Sequence, residues 1–392
     1  MKKGLIALAA GAFALGFAEF VLMGIITNVA AGVGVTVPEA GGFISAYAIG
    51  VCFGTLILVF GHSIAPKRLL MAFMLLCFVG NAMAALAPSA GMLTVARFIS
   101  GMPHGAFFGT ATIAARAMAD KGQEGRAVAV MVLGQTLANT IGVPFGTLLA
   151  GMVSWRAAFV FVAIWALCSL LLIWRLVPQI EAVADAGLAG QFRFLGKPGP
   201  WIVLGAVFLG NTGIFCWWSY VSPWLETVGG WSTATLPALL VLAGLGMIVG
   251  SQLGGRAGDR LTPGWASAIG QGIACVAMLL IYAFSGSLAS SAALMVLCCC
   301  GLFFPSSPQQ LAMVEVGQGG GEMIGSACVQ VAFNGGNAVG AQIGQAVLNS
   351  GAAYNVPALA GAPITAGAVA LLALYALRFE SRYHKKAVTP HA

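Results

Sequence analysis

From Leu261 to Val314 the chain runs without a single Asp, Glu, Lys, Arg or His, and long charge-free stretches of this kind recur from end to end. Only 7% of the 392 residues are charged and 59% are hydrophobic, against roughly 25% charged in a soluble domain. Too few polar side chains exist to cover the surface of a soluble fold, so hydrocarbon must cover it. A helix of about 20 apolar residues crosses a bilayer core of about 30 Å, and it satisfies its own backbone N–H and C=O groups there. The expected fold class is therefore all-α and integral to the membrane.

Apolar runs between charged or turn-rich breaks give twelve spans: 5–31, 41–62, 68–88, 91–118, 126–151, 155–178, 200–226, 234–256, 264–286, 288–313, 321–349 and 355–379. The first run, after Lys2 and Lys3, is too long for the apolar region of a secretory signal and reads as a retained first helix. One break is long. Residues 179–199 carry Glu181, Asp185, Arg193 and Lys197 and read as a cytoplasmic linker between an N-terminal six-helix half (1–178) and a C-terminal one (200–392).

Charge placement tests the count. With the N-terminus inside, sixteen of the 18 Lys and Arg fall in cytoplasmic breaks; Arg156 falls outside and Arg97 within a span. A wrong number of spans would scatter these charges over both faces, so the bias supports twelve, with both termini cytoplasmic. The net charge of +7 then reports topology and contact with anionic lipid, and no nucleic-acid partner is expected.

Enzyme signatures are missing. No phosphate-cradling Gly-x-x-x-x-Gly-Lys-Ser/Thr loop occurs, and no Ser/His/Asp cluster lies in the breaks. The nine cysteines all fall in apolar runs without metal-ligand spacing, and Cys298, Cys299 and Cys300 would point 100° apart on a helix. No catalytic residue, metal or bound cofactor is expected.

Ionisable residues inside the spans carry the functional information, because a charge at the bilayer centre costs roughly 2.5–3.5 kcal/mol. Three stand there: Glu19 in the first span, and Arg97 and His104 in the fourth. At 1.5 Å per residue, Glu19 and Arg97 both lie roughly 10 Å below the outer edge of the core. An ion pair between them would leave neither charge alone, and His104 follows on the Arg97 face, one heptad on. The pair either exchanges a proton during transport or fixes two helices. His104 either lines a substrate path or bonds a carbonyl freed by Pro103.

Uncharged polar residues form stripes. The eleventh span carries Gln330, Asn334, Asn337 and Gln342, the fifth Gln135 and Asn139, and the seventh Asn211, Trp217, Trp218, Tyr220 and Trp224. Amides and aromatic faces suit a sugar-like ligand. They also serve as helix–helix hydrogen bonds, and Trp224 and Trp231 fit an interfacial belt. Gly246, Gly250, Gly254 and Gly258 recur every four residues, as do Gly336, Gly340 and Gly344; Gly142, Pro144 and Gly146 punctuate the fifth span. Such spacing lets backbones approach closely.

These residues carry a family resemblance. Ala18-Glu19-Phe20-Val21-Leu22-Met23-Gly24, Arg97 through Ala106, Gly142-Val143-Pro144-Phe145-Gly146 with Ser154-Trp155-Arg156, and Phe333-Asn334-Gly335-Gly336-Asn337-Ala338 resemble motifs of spans 1, 4, 5 and 11 in the twelve-helix drug:proton-antiporter branch of the major facilitator superfamily. Arabinose-efflux permeases are the most similar group. The loop after the second span, Gly61-His62-Ser63-Ile64-Ala65-Pro66-Lys67-Arg68, lacks the acid usual there. Its counterpart Gly255-Arg256-Ala257-Gly258-Asp259-Arg260 is intact, which leaves Gly255, Asp259 and Arg260 as the gating motif.

The resemblance implies the major facilitator fold, two pseudo-symmetric six-helix halves rocking about a central site. It implies a monomeric proton-coupled antiporter of the bacterial inner membrane, exporting arabinose or a related sugar. Glu19 and Arg97 would couple the proton; His104, Gln135, Asn139, Asn211, Trp217, Tyr220, Gln330, Asn334 and Asn337 would meet the substrate; Gly142, Pro144 and Gly146 would form the antiporter motif. Efflux of amphipathic drugs is the alternative within the class, and a membrane sensor or scaffold the alternative outside it.

Overall fold

A computed structural model describes residues 3–60, 64–120, 124–180, 193–316 and 322–380. Lys2, the 61–63 part of the second-span loop, Lys121, Glu181 and Asp185 of the linker, and Arg382, Lys385 and Lys386 lie outside the described residues, as does the Arg126 side chain. Among those described, the chain forms twelve helical rods. They run Lys3–Val33, Val37–Phe60, Pro66–Leu86, Ala90–Ala117, Glu124–Met152, Trp155–Leu176, Pro198–Thr227, Leu236–Arg260, Pro263–Phe284, Leu288–Val316, Glu322–Asn349 and Val356–Glu380. Ten meet the length and hydropathy of a membrane crossing; the fourth and eleventh do not. Those are the two into which Arg97, His104, Gln330, Asn334 and Asn337 dilute the apolar run.

Helix starts follow ordinary chemistry. Pro66, Pro103, Pro198 and Pro263 open helices, where a missing N–H costs nothing. Ser89, Ser154 and Ser287 accept from backbone N–H groups of the first turn. Thr36 and Glu39 form a reciprocal capping box before the second span, in which Thr36 N–H donates to Glu39 Oε2 at 2.7 Å and Glu39 N–H to Thr36 Oγ1 at 3.3 Å. The two hydrogen bonds from Thr36 hold the exposed Glu39 carboxyl below its ordinary value.

Proline also breaks rods midway. The fourth interrupts at Met102 before Pro103, the seventh at Ser219–Tyr220 before Pro223, and the tenth at Phe304–Pro305. In the fifth, Ala138–Gly142 widens into a π-turn before Pro144, closed by Val143 N–H on the Ala138 carbonyl. Discontinuous helices of this sort place free backbone groups at depth in transporters.

Burial is inverted relative to a soluble protein. Arg97 is fully enclosed, whereas Val160, Ile164, Leu167, Leu171 and Trp174 form an outward stripe on the sixth span, Leu171 at 52% exposure. That stripe is the lipid face.

Two compact units divide the chain: Met1–Asp185 with Ser232–Val241, and Ala186–Trp231 with Leu242–Ala392. Within each, glycine seams bring the same pairs of rods together. In the first unit a Cβ on Gly50 or Gly54 would strike the carbonyls of Phe98 or Met102, joining spans 2 and 4. In the second, Gly246, Gly250 and Gly254 face the carbonyls of Val296, Cys300 and Phe304, joining spans 8 and 10. Gly134 meets the Ala9 carbonyl (spans 5 and 1), as Gly336, Gly340 and Gly344 meet those of Phe208, Thr212 and Cys216 (spans 11 and 7). The repeat is legible in these seams. Two expectations change: Gly258 meets only the Pro308 side chain, and Gly142 and Gly146 meet side chains rather than backbone, Gly142 the rings of Phe13 and Phe17 and Gly146 Val21 and Phe17.

Candidate functional site

The fourth rod supplies Arg97, Ser100 and His104 on one face because residues three, four and seven apart align along a helix. This face turns inward against the first and second rods. Arg97 Nη1 donates to the Ala18 carbonyl at 2.7 Å and Nε to that of Phe43 at 3.4 Å. Its guanidinium lies 4.4 Å from the Tyr47 ring centroid and 5.8 Å from that of Phe159. One side chain thereby ties together spans 1, 2, 4 and 6.

The expected direct Glu19–Arg97 ion pair requires correction. The basic group against the acid is His104, whose Nε2 lies 3.5 Å from Glu19 Oε2. Arg97 grips the carbonyl of the residue just before Glu19 instead, near enough for its charge to act on the carboxylate through space. Glu19 Oε1 and one Arg97 terminal nitrogen are left without hydrogen-bond partners. Matching depth along two helices fixed the height of the pair but not the direction in which each side chain leaves its helix.

His104 does not bond a carbonyl freed by Pro103. Its Nδ1 is 2.8 Å from Tyr47 Oη, which also lies 3.2 Å from the Leu15 carbonyl. Tyr47 escaped the sequence analysis because a lone tyrosine in an apolar span looks like packing; its hydroxyl shows only when spans 2 and 4 are brought together. Glu19, Tyr47, Arg97, Ser100 and His104 are all at most 4% exposed, so the cluster is dry.

In the second unit Asn211, Asn334 and Asn337 are at most 2% exposed. The Nδ2 groups of Asn211 and Asn334 donate to the carbonyls of Val207 and Gln330 one turn earlier. All three side-chain oxygens lack a donor. Asn211 sits at the seam with the eleventh rod, where its Cβ borders Gly336. Tyr220 donates to the Ala341 carbonyl at 3.0 Å, and Trp217 packs edge-to-face on Trp224 at 4.9 Å. Trp224 is fully buried and donates to Ser285, so it belongs to the interior and not to an interfacial belt.

In the first unit Asn139 is 5% exposed inside the π-turn and neither amide atom is bonded; Gln135 is half-buried against Gly16. Gln330 is half-buried, and Asp259 and Arg260 are exposed at the end of the eighth rod. No group of three or more His, Cys, Asp or Glu able to hold a metal occurs among the described residues. Glu380 was not foreseen either: it accepts from Gly264 N–H at 2.6 Å and the Thr262 hydroxyl at 2.5 Å, capping the ninth rod from the end of the twelfth.

The family model described as Major Facilitator Superfamily matches residues 8–327. "Putative transporter AraJ" of Escherichia coli (strain K12) is 40% identical over 96% of this chain and 95% of its own length. Inner membrane transport protein YdhP of the same organism is 35% identical over 66% of this chain and 67% of its own. A chloramphenicol resistance protein of Streptomyces lividans is 30% identical over 66% and 68%. The crystal structure of a bacterial homolog of the human lysosomal transporter Spinster, inward-facing and unoccupied, superposes with a TM-score of 0.68 over 99% of this chain and 98% of that one, at 17% identity. Twelve rods in two repeating sets, polar residues held at depth and this span of matched sequence lead to one assignment: the chain is a multi-pass membrane protein of the major facilitator superfamily, a family of transporters and not of enzymes.

Proposed function

We propose that this secondary transporter is a proton-coupled exporter of a small polyhydroxylated solute, arabinose or a related sugar, working by alternating access in the bacterial inner membrane with both termini cytoplasmic. The observation that carries the coupling is the enclosed Glu19–His104–Tyr47–Arg97 cluster. A carboxyl group that dry must find a proton or a counter-charge, and Arg97 supplies the counter-charge without occupying the acid in a direct bond. In this reading His104 serves the proton and not the substrate, since Tyr47 holds its Nδ1 and its Nε2 faces the acid.

The unpartnered oxygens of Asn211, Asn334 and Asn337 support the choice of ligand. They are buried acceptors awaiting donors, and sugar hydroxyls are donors. Efflux of amphipathic compounds is the second reading, favoured by the Trp217–Trp224 pair and by the relative named for chloramphenicol resistance.

Proteoliposomes with an imposed pH gradient provide the test. Labelled arabinose flux should follow the gradient in the wild type and lose that dependence in Glu19→Gln. Flux that ignores the gradient, or is unchanged in Glu19→Gln, would refute the coupling. Binding of dyes or chloramphenicol with no binding of sugars would refute the choice of ligand.

A further inference from the structure

We propose that Tyr47 is a positioning residue that reads the proton on Glu19 through the tautomer of His104, its hydroxyl turning from the His104 ring to the Leu15 carbonyl when the acid is loaded. This rests on Glu19 being the proton site, and it adds a residue on the second span with a defined output.

Each group here has a fixed number of protons to give. A phenol has one O–H to give, and a neutral imidazole has one N–H and one bare nitrogen. Tyr47 Oη has two acceptors in reach, His104 Nδ1 at 2.8 Å and the Leu15 carbonyl at 3.2 Å. It can donate to only one of them at a time. With Glu19 ionised, His104 carries its proton on Nε2 and aims it at Oε2, 3.5 Å away. Nδ1 is then bare and takes the Tyr47 hydroxyl.

With Glu19 protonated, the carboxylic acid donates to Nε2, so the ring proton must sit on Nδ1. Nδ1–H now faces both Tyr47 Oη and the Leu15 carbonyl, and with Nδ1 no longer an acceptor the phenolic hydrogen has only Leu15 left to bond. The change balances for one added proton. Along the chain, the new proton bonds to Oη, the old phenolic proton passes to Nδ1, and the Nε2 proton passes to Oε2. Two bonds break, three form, and the cluster gains one charge. Leu15 lies one turn before Glu19 on the same helix, so loading the acid adds a bond between the first and second spans.

Other groups also face this chain. The Cys77 thiol on the third span lies near Tyr47, and the Arg97 guanidinium on the fourth lies 4.4 Å from its ring centroid. Asn81 donates to the Cys77 carbonyl and lies within reach of its sulfur. Between Ala127 and Trp174, covering the fifth and sixth spans, the one charged residue is Arg156 at a helix start. None of these competes for the His104 nitrogens, and Arg97 holds a fixed charge over the Tyr47 ring.

The test needs no substrate. On purified wild-type protein the Glu19 carboxyl band, assigned with Glu19→Gln, is followed by infrared spectroscopy against pH. The His104 tautomer is followed in parallel by nitrogen NMR, assigned with His104→Gln. We expect Nδ1 to change from acceptor to N–H over the pH interval in which Glu19 gains its proton. Tyr47→Phe keeps the ring over Arg97 and should move that interval by roughly half to one pH unit, the value of one hydrogen bond. A tautomer that stays fixed while Glu19 titrates, or a Tyr47→Phe interval identical to wild type, overturns the proposal and leaves Glu19 coupling intact. A Glu19 band that never titrates overturns both.

Discussion

Gly50→Ala tests whether the seam between spans 2 and 4 is what aligns the acid cluster. A methyl on Gly50 would stand 2.1 Å from the Phe98 carbonyl oxygen, whereas ordinary contact begins at 3.4 Å, so the backbones must part there by 3.4 − 2.1 = 1.3 Å. Tyr47 is one turn from Gly50, and Arg97 adjoins Phe98. The Tyr47–His104 distance of 2.8 Å and the Arg97–Phe43 distance of 3.4 Å span this same seam. Added separation takes both beyond hydrogen-bonding range.

Overpacking costs about 1–3 kcal/mol, two lost hydrogen bonds about 0.5–1.5 kcal/mol each, and alanine returns about 0.5–1 kcal/mol of helix preference. The net is a loss of about 1–5.5 kcal/mol, centred near 3. Gly272→Ala is the control, because a methyl there meets nothing within 4 Å; it should be neutral or slightly stabilising. Thermal unfolding of both variants in detergent, followed by tryptophan fluorescence, gives the comparison, with Gly50→Ala melting several degrees below Gly272→Ala. Equal melting temperatures would refute the claim that backbone contact at this seam holds the cluster.

Glu380→Ala strips two acceptors from the start of the ninth span and should lower stability by about 1–3 kcal/mol, visible in the same melt; Thr262→Val, which removes one of the two, should lower it less. Asn334→Leu removes a buried unpartnered oxygen and should weaken sugar binding at least several-fold in calorimetry while leaving the melt near wild type; unchanged affinity would assign Asn334 to packing. Cys77, Cys298 and Cys299 are buried in the spans, so a membrane-impermeant maleimide should label them only after denaturation, as mass spectrometry of peptides would report.

Much of the fold was readable because its rule is coarse. Hydrocarbon excludes charge, so charge-free runs mark spans and the few exceptions mark the site; Glu19, Arg97 and His104 were all found that way, Glu19 facing His104 and Arg97 holding the carbonyl of the residue before Glu19. Their partners were not readable. Height along a helix follows from counting residues, but the angle at which a side chain leaves depends on how the rods rotate against each other. That angle gave Glu19 to His104 and Arg97 to two carbonyls. Gly50 and Gly54 have the same four-residue spacing as Gly246 and Gly250, yet a pair of glycines among many carries little signal until its neighbour is known. Glu380 lies just past the last apolar run, and only the return of the chain to Gly264 gives it a partner 116 residues away.

The outward stripe of Val160, Ile164, Leu167, Leu171 and Trp174 sets how the molecule behaves once extracted. Beside acyl chains these side chains gain nothing by touching another copy, since tails are as apolar as leucine. Water reverses the balance, and every such face becomes adhesive. Stripping the detergent collar should therefore precipitate a folded molecule before it unfolds one.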